Sequence, residues 1–356
     1  LKTKWYEKRI KDLIDLGGYQ KPDLQQDSLK LDSNENYVIS KQFQNDVISG
    51  AKKITDVREY PLGGVERLVK TISDFIKIPS SMIGVGNGSD QILDLILSNF
   101  ASKQTKVLTS TPTFGFFEER CKLYSIPIIA IPFSNNMKLD IKEFMKNSKK
   151  ADILYLDSPN NPTGFQFSKN ELQKLVKSFD GLVIIDEAYG EFSSYSLANM
   201  TKNQTNLIVV QTLSKSFGLA GLRLGYFIAN RQFTEAFNRV LQYPYPLSTI
   251  TIESGILALQ KSKHMRDSVQ IIKQERKRII ENLRKHNTFE VFDSEANFVL
   301  FDAHGSYQRV YAALLEQGIS IRKLGKIGNH EGCLRVTIGT KEMNSKFLLA
   351  IRDLLL

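Results

Sequence analysis

Ile153-Leu154-Tyr155-Leu156, Ser168-Lys169-Asn170-Glu171 and Leu182-Val183-Ile184-Ile185 decide the fold of this chain. The first and last are short apolar runs, the pattern of strands buried on both faces. Between them, Ser168 and Glu171 stand at the spacing of a capping box, with serine at the N-cap and glutamate three residues on. Leu172, Leu175, Val176 and Phe179 then recur at helical spacing, and Asp180-Gly181 ends the helix. Strand, helix and strand in this order make a βαβ unit, whose two strands run parallel.

Working outward, short apolar runs alternate with helical patterns from about residue 55 to 240, which argues for a parallel sheet with helices on its faces. From about 250 the character changes. Val269 to Leu283 reads as a long amphipathic helix, followed by Phe298-Val299-Leu300-Phe301, a helix near 306–317, Ile319-Ser320-Ile321 and Leu334–Ile338. The first forty residues are turn-rich (Gly17-Gly18-Tyr19, Asp32-Ser33-Asn34) and read as an arm. The expected fold class is α/β, a large domain with a mostly parallel sheet flanked by helices plus a smaller α+β domain. The expected division is an N-terminal arm at 1–40 that adds to the small domain, a large domain at 41–245 and a small C-terminal domain at 246–356. The last boundary rests on the prolines of Tyr243-Pro244-Tyr245-Pro246.

Composition excludes several classes. The chain has 356 residues, 42% hydrophobic and 24% charged, enough for a large core. Its net charge of +10 is spread along the sequence, and the densest basic stretch, Lys273–Arg278, is broken by Glu275. That reads as a solvated helix face and not a nucleic-acid patch. Cys121 and Cys333 form no CxxC, which fits a reducing compartment. His264, His286, His304 and His330 are isolated along the sequence, so no histidine metal site is expected. No apolar run reaches the roughly 18–20 residues of a membrane span, and the N-terminus lacks a signal-peptide pattern. A cytoplasmic protein is expected.

Four segments carry unusual polar residues where parallel strands should end, the place where open α/β sheets bind ligands. Gly84-Val85-Gly86-Asn87-Gly88-Ser89-Asp90 reads as a glycine-rich turn leading into a buried helix, whose N-terminal N–H groups suit a phosphate. Ser158-Pro159-Asn160-Asn161-Pro162-Thr163-Gly164 is a turn after the strand that ends at Asp157. Asp186-Glu187-Ala188-Tyr189 puts a carboxylate at the end of a buried strand, where it needs a cation. A protonated pyridine nitrogen is such a cation, and Tyr189 can reach a phenolate oxygen on the same ring. Thr212, Ser214, Lys215 and Arg223 follow the apolar run Leu207–Val210. The hydroxyls and guanidinium suit a phosphate. A lysine so placed suits a covalent link to a carbonyl cofactor, pyridoxal phosphate. Each segment alone is weak; together they describe one site.

Asn161-Pro162-Thr163-Gly164, Asp186-Glu187-Ala188-Tyr189, Ser214-Lys215 and Arg223 resemble the fold-type I pyridoxal-phosphate aminotransferases. Within that group, Tyr19-Gln20, Asn34-Glu35-Asn36, Tyr60-Pro61, Pro112-Thr113-Phe114-Gly115, Tyr245-Pro246-Leu247-Ser248 and Cys333-Leu334-Arg335-Val336-Thr337-Ile338-Gly339-Thr340 resemble the histidinol-phosphate aminotransferase family. The resemblance implies that Lys215 carries the cofactor and moves the proton of the 1,3-shift. Asp186 would pair with the ring nitrogen, Asn161 and Tyr189 would contact the ring oxygen, and Phe114 would stack on the ring without the hydroxyl of a tyrosine. Gly88, Ser89 and Asp90, with Thr212, Ser214 and Arg223, would hold the cofactor phosphate. Tyr60 would reach that phosphate from the neighbouring subunit of a homodimer. Arg335, helped by Arg322, would bind the substrate phosphate, Tyr19 would line the substrate pocket, and Asn161 would face substrate as well as cofactor.

The implied reaction is transamination between histidinol phosphate and 2-oxoglutarate, a step of histidine biosynthesis. The alternatives on the same scaffold are an aromatic amino-acid aminotransferase and a threonine-phosphate decarboxylase. A DNA-binding regulator of this fold is expected to carry a helix-turn-helix domain before the sheet, for which residues 1–40 are too few.

Overall fold

Residues 153–186 fold as their pattern requires. In the computed structural model, which describes residues 2–18 and 28–355, Ile153–Asp157 and Leu182–Asp186 are neighbouring parallel strands joined by the helix Lys169–Ser178. The capping box is present: Ser168 Oγ accepts from the Glu171 N–H, and the Glu171 carboxylate accepts from the Ser168 N–H. Leu172, Leu175 and Val176 form the buried stripe of this helix. Every side chain of the first strand is buried, which is why it reads as a continuous apolar run and not an alternating one.

Among the described residues, twelve strands make two sheets. In chain order they are β1 (Leu29–Leu31), β2 (Ile83–Asn87), β3 (Val107–Thr111), β4 (Ile128–Pro132), β5 (Ile153–Asp157), β6 (Leu182–Asp186), β7 (Leu207–Thr212) and β8 (Leu224–Ile228). After them come β9 (Glu290–Val291), β10 (Phe298–Asp302), β11 (Ile319–Ile327) and β12 (His330–Thr337). The larger sheet has the order β2-β8-β7-β6-β5-β3-β4. Only β8 runs against the others, being antiparallel to both β2 and β7. The carboxyl ends of β2, β3, β5, β6 and β7 therefore meet at one edge, together with the start of β8. The smaller sheet has the order β1-β11-β12-β10-β9, with β1 parallel to β11 and the remaining pairs antiparallel.

Two local features differ from the sequence reading. Gly84 and Gly86 lie inside β2 and not in a turn. A Cβ on Gly84 would run into the Phe227 ring, and one on Gly86 would come within 2.7 Å of Ile92. These glycines serve close packing, while Gly88, at φ +77°, makes the turn into the helix Gly88–Phe100. The arm also contains a helix, Lys2–Asp15. Its apolar residues Trp5, Tyr6, Ile10, Leu13 and Ile14 are all exposed, and Tyr6, Ile10, Leu13 and Ile14 recur at helical spacing, a period the reading of this stretch as turn-rich overlooked.

Candidate active site

The shared strand edge opens into a cavity of about 450 Å³. Twelve of the expected site residues line it: Ser89, Asp90, Phe114, Asn161, Asp186, Tyr189, Thr212, Ser214, Lys215, Arg223, Arg322 and Arg335. Each reaches it for a topological reason. Ser89 and Asp90 begin the helix after β2, Phe114 follows β3, Asn161 follows β5, and Tyr189 follows β6. Lys215 follows β7, and Arg223 immediately precedes β8.

One end of the cavity is an anion cradle. The N-terminus of the helix Gly88–Phe100 offers backbone N–H groups and the positive end of its dipole. Arg223 donates to Ser214 Oγ at 3.4 Å and to Asp90 Oδ2 at 3.1 Å, and Thr212 Oγ1 donates to Ser214 Oγ at 3.0 Å. A Cβ on Gly88 would lie 2.6 Å from Arg223 Nη2, so the absence of a side chain there lets the guanidinium approach the helix start.

The middle is acidic and buried. Asp186 is 3% exposed; its Oδ1 accepts from the Ala188 N–H at 3.0 Å and its Oδ2 from Tyr155 OH at 3.2 Å. Burial, reinforced by the charge of Asp157, pushes its carboxyl up to about 7. Asp157 is pushed up to about 6 by burial, although it accepts from the Asn161 N–H at 2.7 Å, Thr113 Oγ1 at 2.9 Å and Asn160 Nδ2 at 2.8 Å. Two carboxyls in this state call for a cation at the cavity wall, and a protonated ring nitrogen meets that need. Lys215 Nζ lies 5.7 Å from the centre of the Tyr189 ring and donates to the Ser33 carbonyl at 3.1 Å. Burial pushes the Tyr189 hydroxyl up to about 12, so it remains an O–H, and it accepts from Asn34 Nδ2 at 2.9 Å.

The far end is cationic. Arg322 on β11 and Arg335 on β12 are cross-strand partners, and both line the cavity. Arg335 donates to Asn161 Oδ1 and, at 3.0 Å, to the Asp32 carbonyl, with its guanidinium 5.0 Å over the Phe298 ring. The residues present thus fit pyridoxal phosphate: an anion cradle, a lysine, hydrogen-bonding groups for the ring oxygen and a buried carboxyl, with two arginines beyond them.

Residues 26–351 match the family described as aminotransferase class I and II. The chain belongs to that family. It is an aminotransferase whose cofactor is pyridoxal 5'-phosphate. A histidinol-phosphate aminotransferase of Pyrococcus furiosus is 34% identical over 326 residues, covering 91% of this chain and 92% of its own. The crystal structure of the histidinol-phosphate aminotransferase from Clostridium acetobutylicum superposes with a TM-score of 0.82 at 29% identity, covering 91% of this chain and 98% of that one. The structure of the Sinorhizobium meliloti histidinol-phosphate aminotransferase in complex with pyridoxal-5'-phosphate shares the fold, with a TM-score of 0.82 at 21% identity over 91% and 90% of the two chains.

Tyr60 lies outside the cavity of its own chain; it is 71% exposed and stacks on Tyr245 with ring centroids 4.3 Å apart. Gly88 borders the cradle through its backbone, and Tyr19 lies outside the described residues. The sequence reading assigned no role to Asp157, Asp32, Asn34 or Phe116, which also line the cavity. For Asp157 the signal was available: like Asp186, it is a carboxylate at the end of a wholly apolar strand. For the others only the fold brings them in.

Proposed function

We propose that this aminotransferase transfers the amino group of L-histidinol phosphate to 2-oxoglutarate, giving imidazole-acetol phosphate and L-glutamate. The observation that carries the substrate is the Arg322–Arg335 pair. Like charges directly opposite on neighbouring strands repel unless an anion lies between or beside them. A phosphate with nearly two charges suits paired guanidiniums better than a single carboxylate does. The cofactor phosphate would have its own cradle at Arg223, and both arginines line the same cavity, where a substrate phosphate would lie. The names of the relatives from Pyrococcus furiosus and Clostridium acetobutylicum support the same reading.

Pyridoxal phosphate supplies an electron sink for the carbon that loses its proton. The protein does the rest. Lys215 Nζ would hold the cofactor covalently at rest, and would take and return the proton at the amine-bearing carbon. Asp186 would accept a hydrogen bond from the ring nitrogen and keep it protonated. Tyr189 and Asn161 would hold the ring oxygen, Phe114 would cover the ring face, and Ser89, Asp90, Thr212, Ser214 and Arg223 would hold its phosphate, with Gly88 giving the backbone room. Tyr19, which lies outside the described residues, would line the substrate pocket.

A homodimer with shared sites completes the reading. Val57, Tyr60, Leu62, Val240, Tyr243 and Tyr245 are all exposed, the residue types that a partner subunit covers. Tyr60 would then complete the phosphate cradle of the other subunit. The two sheets support division into an arm (1–40), a cofactor-binding unit (41–245) and a smaller unit (246–356). No helix of the described residues is long and apolar enough to cross a membrane, and a cytoplasmic location fits Cys121 and Cys333, both free and buried.

The test is a donor panel. Histidinol phosphate, phenylalanine and threonine phosphate are each incubated with 2-oxoglutarate while glutamate and carbon dioxide are measured. Glutamate from histidinol phosphate alone supports the proposal; preference for phenylalanine, or carbon dioxide from threonine phosphate, overturns it.

A further inference from the structure

The smaller sheet contains a second cross-strand pair of like charges, of opposite sign to the arginines. Glu290 on β9 and Asp302 on β10 are direct Cα partners. Among the described residues, the ion pairs of these two carboxylates run to histidines and to no lysine or arginine. The four histidines are isolated along the chain, yet antiparallel pairing brings His330, at the start of β12, against both acids. His330 Nδ1 lies 3.1 Å from Asp302 Oδ2 and 3.4 Å from Glu290 Oε2. The Asp302 and His330 side chains are buried, whereas Glu290 forms the solvent side.

The surrounding hydrogen bonds fix which atoms remain for a ligand. His330 Nε2 lies 2.6 Å from the Asn135 carbonyl oxygen, which can only accept, so Nε2 carries a proton. In the neutral ring Nδ1 therefore presents its lone pair to two carboxylate oxygens, a repulsive arrangement unless a positive charge sits among them. Asp302 Oδ1 is already satisfied by the N–H groups of His304, at 2.8 Å, and Gly332, at 3.0 Å. Its Oδ2 is turned to His330 Nδ1 and, at 3.1 Å, to His304 Nδ1 at the exposed rim.

We propose that Glu290 Oε2, Asp302 Oδ2 and His330 Nδ1 form a binding site for one divalent transition metal ion of the zinc class, with water in the fourth position. Four-coordinate zinc with bonds of about 2.1 Å holds its ligand atoms about 3.4 Å apart. The two nitrogen–oxygen separations match that figure, and the three atoms all lie within 4.8 Å of one another. One dication balances two carboxylates and a neutral imidazole. The Nε2–H bond to a backbone carbonyl is the orienting contact that metal-bound histidines make. Asn135 belongs to the loop after β4 of the larger sheet, and Asn329 also donates to its Oδ1 at 2.8 Å. The ion therefore fixes a histidine that ties the two sheets together, away from the catalytic cavity.

The test uses the holoenzyme after chelator treatment and dialysis, titrated with cobalt(II) chloride and then zinc chloride. One equivalent of cobalt should bind with the intense visible bands of a four-coordinate N/O site, zinc should displace it, and the melting midpoint should rise by several degrees. Glu290→Gln changes an exposed position and should fold normally while weakening binding roughly 100-fold. His330→Gln should weaken binding likewise. The proposal is overturned by the absence of a saturable cobalt spectrum, or by equal affinity in Glu290→Gln and the parent.

Discussion

Asp157 and Asp186 are Cα partners on neighbouring parallel strands, and both line the cavity at the strand edge. Burial raises both carboxyls, and Asp157 raises Asp186 further. In the cofactor-free protein the folded state therefore holds protons that the unfolded chain releases. Stability from these groups is greatest at low pH and is lost as pH rises through about 6 to 7. Thermal melts of the cofactor-free protein between about pH 5 and pH 8 should show a falling midpoint.

Asp186→Asn removes the charge that is costly without cofactor and useful with it. At about pH 8 the cofactor-free variant should melt higher than the parent, by on the order of 3 °C, while cofactor affinity falls at least tenfold. Melting curves with and without pyridoxal phosphate check both signs. A variant less stable than the parent in the cofactor-free state would show that Asp186 is already compensated there.

Asp157→Asn keeps the shape but replaces an acceptor facing the Asn161 N–H and relieves the neighbouring charge. It should reduce kcat about tenfold, the cost of one disturbed buried hydrogen bond. It should also shift the pH dependence of the bound cofactor's visible band, which a purely structural role would leave in place.

Gly88→Ala places a methyl group against Arg223 at a backbone conformation that favours glycine. Cofactor affinity should fall by about 10- to 100-fold, with far-UV circular dichroism unchanged. The double variant with Arg223→Ala should be little worse than Arg223→Ala alone, since both act through one guanidinium. Additive losses in the double variant would separate the two residues.

Tyr60→Ala and Lys215→Ala should each abolish most activity. Unfolded together and refolded, they should recover about a quarter of the parent's sites, because half the dimers then pair one doubly defective site with one intact site. No recovery would mean that Tyr60 does not act across subunits.

Much of this was legible in sequence because strand ends and their polar residues are local. The βαβ unit at 153–186 shows in its apolar period and its Ser168–Glu171 cap. Asp186, Lys215 and Arg223 stand beside the strands that place them. Gly84 and Gly86 misled, since a glycine that makes room for Phe227 or Ile92 looks the same as one in a turn. Asn34 and Asp32 enter the cavity only because β1 joins the smaller sheet beside β11. The meeting of His330 with Glu290 and Asp302 depends on antiparallel register, which spacing along the chain does not reveal.

The reading rests on the Arg322–Arg335 pair as a phosphate site, and one spectroscopic comparison tests it. Holoenzyme is mixed with histidinol phosphate or with histidinol, without oxo acid, and the loss of the bound cofactor's visible band is followed. The phosphorylated substrate should react at least about 100-fold faster, and Arg335→Ala should erase most of that difference. Equal rates for the two amines in the parent enzyme would contradict the proposal.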